Sequence, residues 1–390
     1  MSRYIAVAAL SLVVARPAAA QDPVVTPPPE IAAESLPPSN YPWLLGYFPY
    51  VAGGMGGGPV AAVRLRYFQP APYDERQTYR AEVVAELGIG FHGSRFAELR
   101  YRAPLLSEEL RVSARLLARR NTRDTYFGLG NDTEFDRELE DVQEFAYRVH
   151  RTRYVGSLEL SRRIVGRLKI AGLGAVANDR YFQLADESVF QNEFGADLDQ
   201  TDVSGRAALV LDLRDNEFDP TAGILLDAGF QAGSGAGNYT RVYGLGRMYR
   251  RLGSRMMVTA RLGASQLYGD PPLAAHFEIP AWESTLRVYG GSTNRALRSG
   301  RFGGEGILFG SLDVRRELLL TRNALSVTAL AFVDAGRVFQ DEKLRLTTED
   351  MAVGGGLGLA VRILRSTTVI GYVAKGPDGV KLNVGAGWTY

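Results

Sequence analysis

The sequence predicts an all-β protein, a transmembrane antiparallel β-barrel of about 16 strands. An export signal opens the chain, yet no later apolar run is long enough for a membrane helix. From Gly46 onward, segments of about ten residues alternate between apolar and polar side chains, as tilted membrane strands do. The 390 residues include no cysteine, so an exported chain needs a source of stability other than disulfides. A closed hydrogen-bonded sheet supplies it.

The first 45 residues predict two segments ahead of the barrel. Arg3 and the apolar run after it, followed by alanines at 18–20, have the features of a secretory signal peptide with its cleavage site. The next stretch is proline-rich and has no periodicity, which predicts an extended lead-in that is too short for a domain. We therefore expect a signal peptide at 1–20, a proline-rich periplasmic lead-in at 21–45 and a barrel at 46–390.

The alternation is clearest in residues 255–265. Apolar side chains occupy one face and polar ones the other: Met256, Val258, Ala260, Leu262 and Ala264 against Arg255, Thr259, Arg261 and Ser265. Residues 110–116 and 308–317 repeat the pattern. Charges share a face with small polar groups, as a wet lumen behind a lipid-facing wall requires. A soluble β-sandwich shows the same period with its apolar face inside, so periodicity alone leaves both architectures open. The strand number and the export signal favour the barrel.

Sixteen segments are predicted to be strands, an even number as expected for this class of barrel. They are residues 46–56, 59–68, 79–91, 95–103, 108–118, 141–163, 166–178, 205–213, 223–233, 239–250, 255–268, 306–317, 324–335, 352–363, 366–374 and 379–390. If the first strand rises from the periplasm, the long connections all follow odd-numbered strands, on the extracellular side: 119–140, 179–204 and 269–305. The short periplasmic turns fall at 165–166, 214–222, 252–254 and 320–323. Outer-membrane barrels have this asymmetry.

Motif matches to enzymes and cofactor sites fail on their context. Gly88, Gly90 and Gly93 match a dinucleotide-binding pattern, but they end a strand and open no helix that could hold a pyrophosphate. The three histidines lack the spacing of a zinc site, although His92 near Ser94 leaves an esterase as a minor alternative. A formal net charge of +2 does not indicate nucleic acid as a partner. We expect no enzyme activity, no cofactor and no metal.

The stretch LDLRDNEFDPTAG, residues 211–223, is more specific and falls at an expected periplasmic turn. Its polar residues and its proline suit a turn, its last glycine permits a positive φ, and two charged residues are expected to face the lumen. The residues of this turn motif are Asp212, Arg214, Asp215, Asn216, Pro220 and Gly223.

Three further stretches are NRALRSGRFGGEG at 294–306, FVDAG at 332–336 and the C-terminal NVGAGWTY. With these motifs, the chain resembles the BamA/TamA superfamily of outer-membrane assembly barrels, in the branch called bacterial surface antigens. The resemblance runs from Tyr126, in YFGLGND, to Tyr390, and more weakly back to residue 46. Each motif alone is modest support for the resemblance, and the motifs together are strong support.

The resemblance implies that the arginine-rich stretch belongs to a sixth extracellular loop folded into the lumen. The family has a V/L-R-G-F/Y motif there, and NRAL at 294–297 occupies that place. Arg295 would be the motif arginine. In the family, this arginine meets an acid on the following strand, here Asp313, and an acid on the next strand, here Asp334. The stretch would then anchor a loop and would not bind phosphate or nucleic acid.

The chain departs from the family motif at two positions. Ala296 replaces the glycine and Leu297 replaces the aromatic residue. Arg298 is a competing candidate for the role of the motif arginine.

The resemblance also implies a function at the outer membrane without covalent catalysis. Such a protein assists the insertion or translocation of proteins, or of lipid; the alternative is a passive pore or structural barrel that has lost assembly activity. Family members commonly carry periplasmic polypeptide-transport-associated domains, and residues 21–45 are too short for one, so we expect a barrel-only member. Outer-membrane lipid would surround it, and a periplasmic or lipoprotein partner could supply client capture.

Both ends of the barrel carry expectations from the family. Trp388 and Tyr390 would form the C-terminal assembly signal. The family works through a weakly paired seam between the first and last strands. In the first strand, Pro49 removes a ladder donor and the glycines weaken pairing, although residues 53–58 could equally form a turn.

Overall fold

The computed structural model describes residues 42–55, 58–71, 77–107, 109–217, 219–290, 293–321, 325–363 and 367–386. They belong to one unit of the chain, Tyr41–Tyr390. The expected signal peptide at 1–20 and residues 21–41 of the lead-in lie outside the described residues.

Sixteen strands form one antiparallel sheet in which each strand pairs with the next along the chain. They are β1 Leu44–Met55, β2 Gly58–Pro70, β3 Tyr79–Gly90, β4 Arg95–Ala103, β5 Leu110–Thr125, β6 Arg148–Val165, β7 Leu168–Gln183, β8 Asp197–Asp212, β9 Gly223–Ser234, β10 Asn238–Leu252, β11 Met256–Gly269, β14 Gly306–Thr321, β15 Leu325–Phe339, β16 Ala352–Ile363, β17 Thr367–Gly376 and β18 Gly379–Ala386. Two short strands, β12 Glu278–Ala281 and β13 Ser284–Arg287, form a separate hairpin between β11 and β14.

The helices are short. They are α1 Arg137–Val142, α2 Val189–Phe194 and two 3-10 turns, Phe91–Gly93 and Leu273–Phe277. No helix within the described ranges is long and apolar enough to span a membrane.

Every one of the sixteen expected strands is confirmed, and the main differences lie at the ends of β5 to β8. β5 and β7 run several residues beyond their expected ends, and β8 begins at Asp197 instead of residue 205. Charged side chains on both faces of these extensions hide the alternation, while the backbone ladder continues. β6 begins at 148 instead of 141, because Asp136 caps α1 by accepting from the backbone N–H groups of Glu138 and Leu139.

The sheet is polar inside and apolar outside. Arg241 and Arg261 are 2% and 1% exposed on its inner face, whereas Leu262 and Leu357 on its outer face are 69% and 68% exposed. A soluble sandwich would bury the leucines and expose the arginines. The distribution therefore decides between the two architectures in favour of a transmembrane barrel.

The connections fall into two classes according to the end of the barrel. Four long ones lie together at what we call the loop end: 126–147, 184–196, 270–305 and 340–351. The opposite, turn end carries shorter connections, of which 213–222 is the longest. The long connections thus follow odd-numbered strands of the sheet, as predicted. That the loop end is extracellular stays a prediction.

The two edges of the sheet approach each other. Cα atoms of β1 and β18 come within 8 Å. Yet within the described part of the chain β1 hydrogen bonds only to β2, and β18 only to β17. The sheet curls far enough to bring its edges together, and no ladder joins the described residues of the two edge strands.

Leu262→Arg tests the inverted polarity. Leu262 lies in the middle of β11 and faces outward, so an arginine there should cost about 2–4 kcal/mol of unfolding free energy in a lipid bilayer. Chemical unfolding in vesicles measures this cost. Leu346→Arg is the matched control, because Leu346 is 85% exposed on the connection 340–351 and should change stability little. Equal stability of the two variants would contradict a lipid-facing wall.

Candidate functional site: a lumenal loop held by Arg295

The connection 270–305, which we call the lumenal loop, folds from the loop end into the barrel. It contains the 3-10 turn Leu273–Phe277, the hairpin β12–β13 and the arginine-rich stretch. Buried side chains run through it, including Asn294 and Leu297, which have no exposed surface. The loop contacts inward-facing residues on several strands of the barrel wall.

Arg295 makes the most extensive polar contacts of the loop. Its backbone N–H and its Nε both donate to Asp334 Oδ2, at 2.8 and 2.9 Å. Its Nη2 donates to Asp334 Oδ1 at 2.7 Å and to Asp313 Oδ1 at 2.5 Å. The guanidinium carbon lies 3.7 Å from the ring centre of Phe332. One side chain thus ties the loop to β14 and β15.

The charges at this site are balanced. Arg315 Nη2 donates to Asp313 Oδ2 at 3.0 Å, so two arginines face two carboxylates. Exposure of Arg295, Asp313 and Asp334 is at most 1%. Burial opposes the charge of Arg295, but Asp334 and Asp313 outweigh it and raise the pKa of the guanidinium above its usual range.

Two glycines let the backbone reverse around the arginine. Gly290 has φ 101°, and a Cβ there would lie 2.3 Å from the carbonyl oxygen of Arg298. Gly300 has φ 65°, and its N–H donates to the Tyr289 carbonyl at 2.8 Å. Tyr289 N–H donates to Thr293 Oγ1 at 2.7 Å, which closes the turn.

Arg298, the competing candidate, does not reach the two acids. Its Nη1 donates to Glu140 Oε1 at 2.9 Å, and its guanidinium carbon lies 4.0 Å from the Phe135 ring centre. Its side chain is 28% exposed. The structure therefore places Arg295, and not Arg298, between the carboxylates.

Two other glycines accommodate the departure at Ala296. A Cβ on Gly354 would lie 2.3 Å from the Ala296 Cβ, and one on Gly376 would lie 3.1 Å from it. The alanine thus fills space that bare backbone on β16 and β17 leaves open. Leu297 packs in an apolar cluster of the lumen, and its carbonyl accepts from Lys381 Nζ at 2.9 Å.

The hairpin β12–β13 is a feature that the sequence reasoning missed. Glu278 accepts from Arg153 Nη2 at 2.9 Å, and Arg287 Nη2 donates to Asp124 Oδ1 at 3.1 Å. These pairs attach the hairpin to β5 and β6. The alternation of Ile279 and its neighbours in HFEIPAWESTLRV was the available signal, but four-residue strands are too short to read with certainty.

The tip of the hairpin reaches the turn end. Arg111, the second residue of β5, donates to Glu283 Oε1 at 3.1 Å and to Glu217 Oε1 at 2.8 Å. The backbone N–H of Trp282 donates to Asp227 Oδ2 at 2.6 Å, and Lys169 Nζ lies 4.1 Å from the centre of the Trp282 indole ring. Because these partners lie near the turn end, the lumenal loop crosses the barrel from one end to the other.

The turn motif is braced by its own side chains. Asp212 and Arg214 are both buried, with Arg214 Nε 2.9 Å from Asp212 Oδ1. Arg214 Nη1 also donates to the backbone carbonyl of Glu217 at 3.1 Å. The side chain of the same glutamate accepts from Arg111. Asp212 and Arg214, the two charged residues expected to face the lumen, therefore lie together at the turn end of the barrel.

Asp215 holds the rest of this turn. It accepts from the backbone N–H groups of Asn216, Thr221 and Ala222 at 2.9, 2.9 and 3.1 Å. Burial opposes its charge, but these donors and the Thr221 hydroxyl outweigh it and lower the carboxyl pKa. Asn216 Oδ1 accepts from Asp219 N–H at 3.0 Å.

The turn closes at its last two motif residues. Pro220 is buried just before the strand resumes. Gly223 has φ 110°, and a Cβ there would lie 2.3 Å from the Leu213 carbonyl oxygen, so only glycine fits.

Two expectations remain outside this geometry. Trp388 and Tyr390, the expected C-terminal signal, lie outside the described residues. Among the residues that the structure does describe, no group of histidine, aspartate and glutamate side chains is arranged to hold a metal ion.

Comparisons with known proteins agree with this architecture. Residues 63–365 match the Omp85 superfamily domain. Among solved structures, the chain is similar to BamA from Haemophilus ducreyi lacking POTRA domains 1–3, with a TM-score of 0.56 and 12% identity over 88% of this chain and 70% of that one. It is also similar to CdiB from Escherichia coli, with a TM-score of 0.56 and 13% identity over 88% of this chain and 61% of that one. No curated protein matches the chain.

These identities show a shared fold, and the chain spans less than two thirds of the CdiB chain. The family match is to residues 63–365, which begin within β2, end just after β16 and include the lumenal loop. This chain is therefore a member of the Omp85 superfamily, with the architecture of an outer-membrane β-barrel.

Proposed function

We propose that this barrel assists the insertion or translocation of proteins at the outer membrane, without covalent catalysis. The observation that carries the proposal is the pair of edges at β1 and β18, which lie close together without a ladder between their described residues. Backbone N–H and C=O groups on such an edge can pair with an incoming strand. We call this place the seam.

The first edge strand, β1, has two features that weaken pairing. Pro49 in β1 has no backbone N–H to donate. The register of β1 against β2 shifts between Ala52 and Met55. An edge of this kind pairs reversibly, which is what a template for a passing strand needs.

The lumenal loop lies against the strands that lead to the seam. Ala296 packs on Gly354 of β16 and Gly376 of β17, and Lys381 of β18 donates to the Leu297 carbonyl. The proposed role of Arg295 is to hold this stretch in place against that wall. The stretch that Arg295 anchors is thus in contact with β16, β17 and β18, the last of which forms one edge of the seam.

The filled lumen argues against the alternative of a passive pore. The loop crosses the barrel and is tied to its wall at Asp124, Arg153, Asp227 and Asp334. A wide free channel would need these contacts to be absent. We further infer that a periplasmic or lipoprotein partner delivers the client, that the loop end is extracellular and that outer-membrane lipid surrounds the wall.

Arg295→Ala tests the anchor. The change leaves two buried carboxylates without their main partner and should cost about 2–5 kcal/mol of local stability. The lumenal loop should then become sensitive to protease and ion conductance in planar bilayers should rise. The barrel should keep the gel mobility difference between unheated and boiled samples.

Arg298→Ala is the matched control, because its partly exposed pair with Glu140 is worth about 1 kcal/mol or less. Asp334→Asn should release the loop as Arg295→Ala does, and the double variant should be no worse, since the two residues act on one contact. Additive losses, or a larger effect of Arg298→Ala, would show that another residue anchors the loop.

A cross-linked seam tests the function itself. The chain has no cysteine, so one cysteine in β1 and one in β18 can be joined by a bismaleimide without side reactions. Pairs can be stepped along exposed positions of the two strands: Leu45, Tyr47 and Val51 with Val380, Leu382 and Val384. We expect the linked protein to lose most of its ability to speed insertion of an unfolded test barrel into liposomes.

The control joins two strands that already pair. Leu357 and Val373 are cross-strand partners in β16 and β17 with exposed side chains, so a link there leaves the seam free. Full insertion activity after linking the seam, or equal loss after linking Leu357→Cys to Val373→Cys, would rule out the seam as the working surface.

A further inference from the structure

An apolar groove lies on the outer wall of the barrel near the loop end. It encloses about 910 Å³ across β2 to β7. Its floor includes Ala97 and Ala118, which are cross-strand partners in β4 and β5. Leu87 and Tyr154 stand on either side, in β3 and β6. Two small side chains between larger ones create the depression.

The groove continues toward the turn end. A second hollow of about 590 Å³ shares its central residues and extends past Leu99, Leu116 and Gly156. In the ladder, these three residues lie one outward row closer to the turn end than Ala97 and Ala118. The two hollows together form one elongated apolar groove along the outer wall.

Two arginines lie at the loop end of this groove. Arg95 and Arg120 are directly opposite each other across the β4–β5 ladder, and both are exposed. No carboxylate of the described chain forms an ion pair with either. Like charges at opposed positions repel each other, so the pair favours an anion between them.

The next arginine in the same row is different. Arg180 on β7 forms an ion pair with Asp199 of β8, with Nε and Oδ2 2.8 Å apart. The protein therefore neutralises one outward arginine of this row with its own acid and leaves the other two without one.

We propose that this groove binds one membrane lipid with an anionic phosphate headgroup. The phosphate lies between the guanidinium groups of Arg95 and Arg120, which donate charge-assisted hydrogen bonds to its oxygens. An acyl chain lies along Ala97 and Ala118 and so removes apolar surface from contact with bulk solvent or disordered chains. His150, whose ring stacks edge-on with Phe182 at 5.9 Å, borders the headgroup side.

The occupant is a lipid because of where the groove lies. Its walls belong to the apolar outer face that a bilayer covers, and its charges stand at one end, as in an amphiphile. The inference rests on the barrel architecture and is independent of the proposed function at the seam.

Native mass spectrometry of the detergent-solubilised full chain tests the proposal. Titration with phosphatidylglycerol should give one tightly retained lipid, and phosphatidylcholine should bind about tenfold more weakly. The double variant Arg95→Gln/Arg120→Gln should lose this preference, with about tenfold weaker phosphatidylglycerol binding. Ala97→Leu, which fills the groove from an outward position, should weaken binding of both lipids.

Arg180→Gln is the matched control and should retain phosphatidylglycerol as the parent does, because Asp199 already neutralises that arginine. Glycerol phosphate, which has the head and lacks the chains, should not displace the lipid at equal concentration. Equal retention of the two lipids, equal loss in Arg180→Gln or displacement by glycerol phosphate would overturn the proposal. Gel mobility before and after boiling shows that each variant still forms the barrel.

Discussion

The burial of charged side chains inside the barrel is the constraint on which this structure depends. The inner wall carries many arginines and acids, and a buried charge is stable only with a partner and hydrogen bonds. The lumenal loop supplies several of these partners: Glu278 for Arg153, Glu283 for Arg111, and Arg295 for Asp313 and Asp334. Wall and loop therefore stabilise each other through these ion pairs.

Because of these ion pairs, the lumenal loop is attached to the barrel wall at several separate places. It is tied at the loop end, at the turn end and beside the strands next to the seam. A change in the width of the barrel would alter the distances between these ties. A change in width near the seam would displace the residues beside Arg295, because Ala296 and Leu297 contact β16, β17 and β18.

The outer wall is apolar, in contrast to the charged inner wall. The places that depart from this pattern indicate binding surfaces. Most outward positions are apolar, as contact with lipid chains requires. Arg95 and Arg120, which no acid of the described residues neutralises, depart from that pattern at the loop end of the groove. The edges at β1 and β18, whose described residues do not pair with each other, are a second departure. The groove spans β2 to β7 and does not include β18, so lipid binding and strand templating can be separated by experiment.

The sequence by itself determined the sixteen strands and their order, because a period of two and local turns are encoded by neighbouring residues. It also pointed to Arg295, Asp313 and Asp334 through motif resemblance. Tertiary structure alone decided which face is buried and that Arg298 turns toward Glu140. It also decided that Glu283 meets Arg111, 172 positions away. Such contacts depend on the curvature of the whole sheet, which brings distant residues together and leaves no periodic trace in the chain.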